Sequence, residues 1–183
     1  HVEAGNGQVI NDATTAEFSF TPTSDGIYTV TLTVNDDDGG TTTKQVTVVV
    51  GNVGPQNVAV SGNLQVNEGE AVVLAGTFDD PGSGDTHTFN WYVAASNGQV
   101  IADGAGGNFG FVPNDEGTYT VVFTVRDNAG VSASKTVAVT AANVAPTITS
   151  FAGPTSLNEG QLGQFIAAAF DPGADSLAFA WDF

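Results

Sequence analysis

The sequence predicts an all-β fold, arranged as a tandem array of two-sheet β-sandwiches. Three observations predict it. Apolar and polar residues alternate with period two over short runs, as in "YTVVFTV" (Tyr119–Val125), which is the pattern of a strand with one buried face. Clusters of Gly, Pro, Asn and Asp separate these runs, and no stretch of ten or more residues holds a helical period. The chain also resembles itself. Glu17–Pro55 laid on Asn108–Pro146, 91 residues further on, is identical at 17 of 39 positions. A second pairing sets "VNEGEAVVLAGTFDDPG" from Val66 against "LNEGQLGQFIAAAFDPG" from Leu157. Self-similarity at a fixed period marks a repeat architecture.

A period of 91 residues exceeds a solenoid unit and approaches the roughly 100 residues of an immunoglobulin-like sandwich, so each period is expected to be a whole domain. In that frame residues 1–52 match the second half of a unit, 53–143 form a complete unit, and 144–183 match the first half. Taken in order, 1–52 offer the strands "GQVI", "EFSF", "YTVTLTV" and "KQVTVVV". In 53–143, "AVVLAGTF" turns Val72, Leu74 and Phe78 inward, and "HTFNWYV" turns Phe89, Trp91 and Val93 inward. "NFGF" buries Phe109 and Phe111, "YTVVFTV" buries Tyr119, Val121, Phe123 and Val125, and "KTVAVTA" buries Val137 and Val139. Threonines supply the β-branched solvent face. Residues 144–183 offer three strands, the last reaching Trp181 in "AFAWDF". About seven short strands per unit fit a sandwich better than a closed barrel. Two explanations of the halves stay open. The chain is a window of a longer covalent array, or one molecule's final half completes the next molecule's first half. The second is a head-to-tail contact that does not close and builds a filament.

Composition narrows the function classes. Twenty Asp and Glu face three bases, Lys44, Arg126 and Lys135, for a net charge of −17. Such a chain has no clustered cations to neutralise phosphates, which excludes nucleic acid and anionic membranes as partners. No apolar run approaches the ~18 residues of a membrane span. There is no cysteine, so neither disulfides nor cysteine-bound zinc contribute. With no initiating methionine and no signal-peptide pattern at His1, the chain reads as a fragment or a processed product. The acids serve either as solubilising charge in a salty medium or as ligands for divalent cations.

"DEGTY" (Asp115–Tyr119) has the Gly-x-Tyr spacing of a tyrosine corner, in which the phenol bonds back across the turn before its strand. "DGIY" (Asp25–Tyr28) repeats it. Val30 and Val121 stand two residues after the tyrosines, where antibody domains carry a cysteine, so Trp91 is expected to pack on valine. The ending "WDF", the run Tyr119, Val121, Val125, Asp127, Gly130 (and Tyr28, Val30, Val34, Asp36, Gly39), and the linkers "NVGP" and "NVAP" together resemble the polycystic kidney disease (PKD) domain family and related bacterial immunoglobulin-like repeats. The middle unit departs from that pattern with "WYVAASNG" after its tryptophan. The resemblance implies a non-catalytic module of a cell-surface or secreted protein, either a spacer or an interaction module.

The acidic turns are the candidate site. In an immunoglobulin-like sandwich the turns after the second and sixth strands lie beside the incoming linker. Here these carry Asp79, Asp80 and Asp85, then Asp127, with Asn52 in the linker. At the opposite end Glu68, Asp115 and Glu116 would face Asp171 and Asp175 of the next unit across Asn143. Calcium takes six to eight carboxylate and carbonyl oxygens, and the resemblance implies that some relatives bind it near the linker asparagine and these aspartates. The candidate metal ligands are therefore Asn52, Asp79, Asp80, Asp85, Asp127, Asn143, Asp171 and Asp175. The alternative is a set of solvent-facing Asx turns.

No nucleophile elbow, H-E-x-x-H motif or P-loop is present, and no catalytic residue is assigned. His87 alternates with Phe89 and Trp91 and reads as an inward residue at a strand's start. Tyr92, outward beside Trp91, is a candidate platform for a surface glycan or a protein ligand. The sequence thus predicts an extracellular strut or fibre whose partners are other copies of itself or neighbouring repeats. The rival reading is an accessory carbohydrate- or protein-binding module of a secreted hydrolase.

Overall fold

The computed structural model describes residues 1–182, and among them it shows twelve strands and no helix. β1 (Val2–Ala4), β2 (Gly26–Asn35) and β3 (Thr41–Val50) form one antiparallel sheet in that order. Its register sets Val30 between Val2 and Val46, and Tyr28 between Ala4 and Val48. Seven strands follow: β4 (Gln56–Gly62), β5 (Gln65–Asn67), β6 (Val72–Asp79), β7 (His87–Ala95), β8 (Asn108–Phe111), β9 (Gly117–Asp127) and β10 (Ser132–Ala142). They form two sheets, β4-β6-β8 and β5-β10-β9-β7, with β5 parallel to β10. β11 (Thr147–Ala152) and β12 (Ile166–Phe170) pair antiparallel.

The chain divides into two compact units. The first gathers His1–Ala59, Thr77–Phe89 and Thr124–Ser134, and the second gathers Val60–Gly76, Asn90–Phe123 and the chain from Lys135 onward. Each unit holds residues of more than one sequence period.

The second unit contains the main core. Period-two alternation brings Val72 and Leu74 of β6, Trp91 and Val93 of β7, Tyr119, Val121 and Phe123 of β9, and Val139 and Ala141 of β10 out of solvent. Gly76 shows how closely the two sheets approach. A Cβ there would lie 2.2 Å from the Phe123 ring, so only glycine allows the contact. Trp91 stacks on Phe123 at 4.3 Å and on Phe109 at 5.6 Å, and its Nε1 donates to the Gly106 carbonyl at 2.9 Å. Two of its ring partners are aromatic. In the first unit, Phe78 and Phe89 are half-buried and lie 5.8 Å apart.

Three expected strands do not form. "GQVI" and "EFSF" in residues 1–52 are irregular, and residues 178–182 of "AFAWDF" form none; Phe183 lies outside the described residues. A strand needs a ladder partner for its backbone groups. "NFGF" becomes β8 because β6 lies beside it, with Val72 opposite Phe111 and Leu74 opposite Phe109. "GQVI" is irregular at 98–101 as well and is not a strand in either copy, whereas residues 17–20 have no counterpart of β6 beside them and 178–182 none of β9. The same lack leaves apolar rows open. Leu32 and Val34 of β2 are 58% and 57% exposed where the equivalent Phe123 and Val125 are fully buried, and Trp181 is 48% exposed where Trp91 is fully buried.

Candidate functional site

The site in the second unit is built from three turns, and the tyrosine corner fixes the first. The Tyr119 hydroxyl donates to the Asp115 carbonyl at 2.9 Å and accepts from Asn97 Nδ2 at 2.7 Å. Gln99 then pins the chain from the other side. Its Nε2 donates to the Val112 carbonyl, and its Oε1 accepts from the Asn114 N–H, both at 2.9 Å. Gly117, at φ +144°, occupies a conformation that side chains rarely adopt. The turn therefore holds Asp115 and Glu116 in place. In the first unit Asn6, Gln8 and Tyr28 make the same set of bonds around Ser24 and Thr23.

The second turn carries Glu68. Its own N–H donates to the Ala142 carbonyl at 3.0 Å, and the next N–H, of Gly69, donates to the Pro113 carbonyl at 2.8 Å. The Glu68 side chain is 1% exposed. Its Oε1 accepts from the Val144 N–H at 2.7 Å, and its Oε2 is buried with no partner among the described residues. The third turn, Asp171–Asp175, approaches closely. A Cβ on Gly173 would lie 2.5 Å from Glu68 Oε2, and the Ala174 N–H donates to the Asn114 carbonyl at 2.6 Å. Asp171 Oδ1 accepts from the Gly173 N–H at 2.9 Å, while its Oδ2 is a second buried oxygen with no partner among the described residues.

Together these turns bring one carboxylate oxygen each from Glu68, Asp115, Glu116 and Asp175 within 4.8 Å of one another. The electrostatics reflect that crowding. The Asp175 carboxyl is pushed above its ordinary value, first by partial loss of water and then by the negative charges of Glu68, Asp115 and Asp171. Glu116 is also raised, chiefly through its hydrogen bond with Asp115. Two oxygens on opposite sides of one calcium ion lie about 5 Å apart, which this group matches. The donors are all carboxylates, the ligand type of hard cations rather than of zinc or copper.

Residues 52–140 match the profile of the bacterial Ig domain family. This stretch is similar to bacterial immunoglobulin-like domains. The chain is also similar to a solved structure, the PKD domain of an M14-like peptidase from Thermoplasmatales archaeon SCGC AB-540-F20. The two share 22% identity over 50% of this chain and 98% of that one, with a TM-score of 0.37. No curated protein matches the chain.

Of the eight ligands read from the sequence, the structure brings three to this end of the Ig-like domain. Asp171, Asp175 and Asn143 line one cavity with Glu116. The other five lie in the first unit, and their carboxylates each meet a donor. Asp127 Oδ2 accepts from Asn52 Nδ2 and its Oδ1 from the Val131 N–H, both at 2.8 Å. The Asn52 bond leads in holding this carboxyl below its ordinary value. Asn52 Oδ1 is buried with no partner among the described residues. Asp79 Oδ2 accepts from Asn57 Nδ2 at 2.9 Å. Asp80 meets His87 Nε2 at 2.9 Å and the Gly82 N–H at 2.8 Å. Asp85 Oδ1 accepts from the Ser24 hydroxyl at 2.5 Å. Sequence reasoning missed Asn97 and Gln99, which set the first turn; the signal available was the recurrence of Asn-Gly-Gln at Asn6, 91 residues earlier. Tyr92 stands on β7 of the Ig-like domain, 52% exposed.

Proposed function

We propose that the chain is a non-catalytic structural segment of a cell-surface or secreted protein, a strut of Ig-like repeats stiffened by calcium. Ig-like and PKD domains typically serve as such modules, and no helix of the described residues is long and apolar enough to cross a membrane. The observation that carries the reading is the carboxylate group that includes buried Glu68, whose Oε2 has no partner among the described residues. Glu68, Asp115, Glu116 and Asp175 would hold the ion, with Asp171 Oδ2 beside them. Bound there, calcium supplies the positive charge that this group lacks. The protein's part is to hold three turns together, so that cation binding and rigidity are coupled. In this reading the open apolar rows of β2, β3, β11 and β12 are covered by repeats of the same kind, in a longer chain or in another copy.

Thermal melting of the chain tests this. Millimolar calcium should raise Tm, because a ligand that binds only the native state stabilises it, and a chelator should reverse the rise. Glu68→Gln should blunt it. An unchanged Tm on adding calcium and on adding chelator would leave these carboxylates as solvated turns.

A further inference from the structure

We propose that two equivalent sites in this chain have diverged. The site built on Glu68 in the second unit takes one divalent cation, and its counterpart in the first unit is a cation-independent latch of Ser24 on Asp85. This rests on the calcium reading above and adds where the ion goes and how many bind.

The equivalence is carried by the backbone. In the second unit the Ala174 N–H donates to the Asn114 carbonyl at 2.6 Å; in the first, the Gly84 N–H donates to the Thr23 carbonyl at 2.7 Å. Thr23 and Asn114 are one period of 91 residues apart. In both sites the acid that matters, Asp85 or Asp175, directly follows the donating residue. The same tyrosine corner sets the opposing turn, through Tyr28 in one and Tyr119 in the other.

On this common frame the side chains differ. Asp115 and Glu116 correspond to Ser24 and Asp25. Where Asp175 meets the acid Asp115, Asp85 meets a hydroxyl. The Ser24 Oγ–H bonds Asp85 Oδ1 at 2.5 Å, and a hydrogen bond to a charged acceptor is among the stronger ones. Asp85 is thereby satisfied without an ion. Asp175 has the opposite surroundings, with Glu68, Asp115 and Asp171 as its charged neighbours. The second, independent sign is the fully buried Glu68 carboxylate, itself a member of this group, whose Oε2 has no donor among the described residues. Calcium affinity depends on the number of charged ligands, and within the shared frame Asp115 supplies a charge where Ser24 supplies none.

Calorimetric titration of the whole chain with calcium chloride is the test. One ion should bind per chain. Glu68→Gln and Asp175→Asn should each weaken binding by about tenfold or more. Asp175 is exposed, so its variant keeps the test meaningful if the Glu68 variant fails to fold. Asp85→Asn should leave calcium affinity and stoichiometry unchanged, and Ser24→Ala should lower Tm by the same amount in calcium and in chelator. Two ions per chain, or a Ser24→Ala effect that disappears in calcium, would overturn the divergence while leaving the calcium reading intact. No binding at all would overturn both.

Discussion

A single hydroxyl oxygen, that of Tyr119, ties Asn97 to the Asp115 carbonyl inside the second unit. Tyr119→Phe keeps the ring in the core and removes its bonds to both partners, while Asn97 Nδ2 still reaches the Asp115 and Glu116 carbonyls at 3.4 Å. It should cost about 0.5–1.5 kcal/mol, the net worth of a hydrogen bond, read from urea denaturation; a cost near zero would mean that water replaces the bond. Trp91→Ala, which empties the place between Phe109 and Phe123, should cost about 3–5 kcal/mol. Asp127 gives a pH signature. Its folded-state carboxyl lies below the ordinary 3.8, chiefly because of Asn52. The unfolded chain therefore binds the proton more readily. The stabilisation is present above that ordinary value and is lost as pH falls through the folded one. Melting curves of the protein and of Asn52→Ala should differ at neutral pH and converge in acid. Tyr119 and Trp91 were legible in the sequence because their spacings are distinctive. Asn97 and Gln99 were not, because Asn-Gly followed by a polar residue reads as any turn.

Strands show where local pattern stops being enough. Phe18 and Phe20 alternate as Phe109 and Phe111 do, yet only the second pair lies on a strand, because only "NFGF" has β6 beside it. Alternation reports which face a strand would bury; it does not report whether a neighbour is there to bond. Five of the seven strands of the middle were legible, and they form for the converse reason, since every partner they need is in the same stretch; β4 and β5 were not read from the sequence. Residues 53–143 expressed alone should accordingly give a β-type far-ultraviolet spectrum, and a disordered one would sink this expectation. Gly76 tests the sheet contact. Gly76→Ala sets a methyl group against Phe123 and should destabilise by about 1–3 kcal/mol, as overpacked cores do. Adding Phe123→Leu should recover part of that loss, since residues in contact are not additive.

At the scale of the whole molecule, charge and apolar surface pull in opposite directions. A net charge of −17 keeps copies apart in solution. The rows that include Leu32, Val34, Ile148 and Phe151, each more than half exposed, favour covering. Screening decides between them. Light scattering on the chain should show little association at low ionic strength and reversible association as salt rises. A monomer at every salt concentration would mean that these rows are tolerated bare. The acidic ends of the repeats were legible from turn positions alone, and Asn143, Asp171 and Asp175 do line one cavity. Which acids would find donors was not legible, because it depends on single atoms such as the Ser24 hydroxyl.

The bonds from Gly84 to Thr23 and from Ala174 to Asn114 use only main-chain atoms. A contact of that kind is indifferent to the residues that make it. The tetrapeptides Thr23–Gly26 and Asn114–Gly117 are then interchangeable cassettes on one scaffold. Exchanging "TSDG" for "NDEG" should carry acidic groups from one position to the other without disturbing the backbone that presents them. A lineage, or an engineer, can thus tune each position by substituting a few side chains while the framework stays constant.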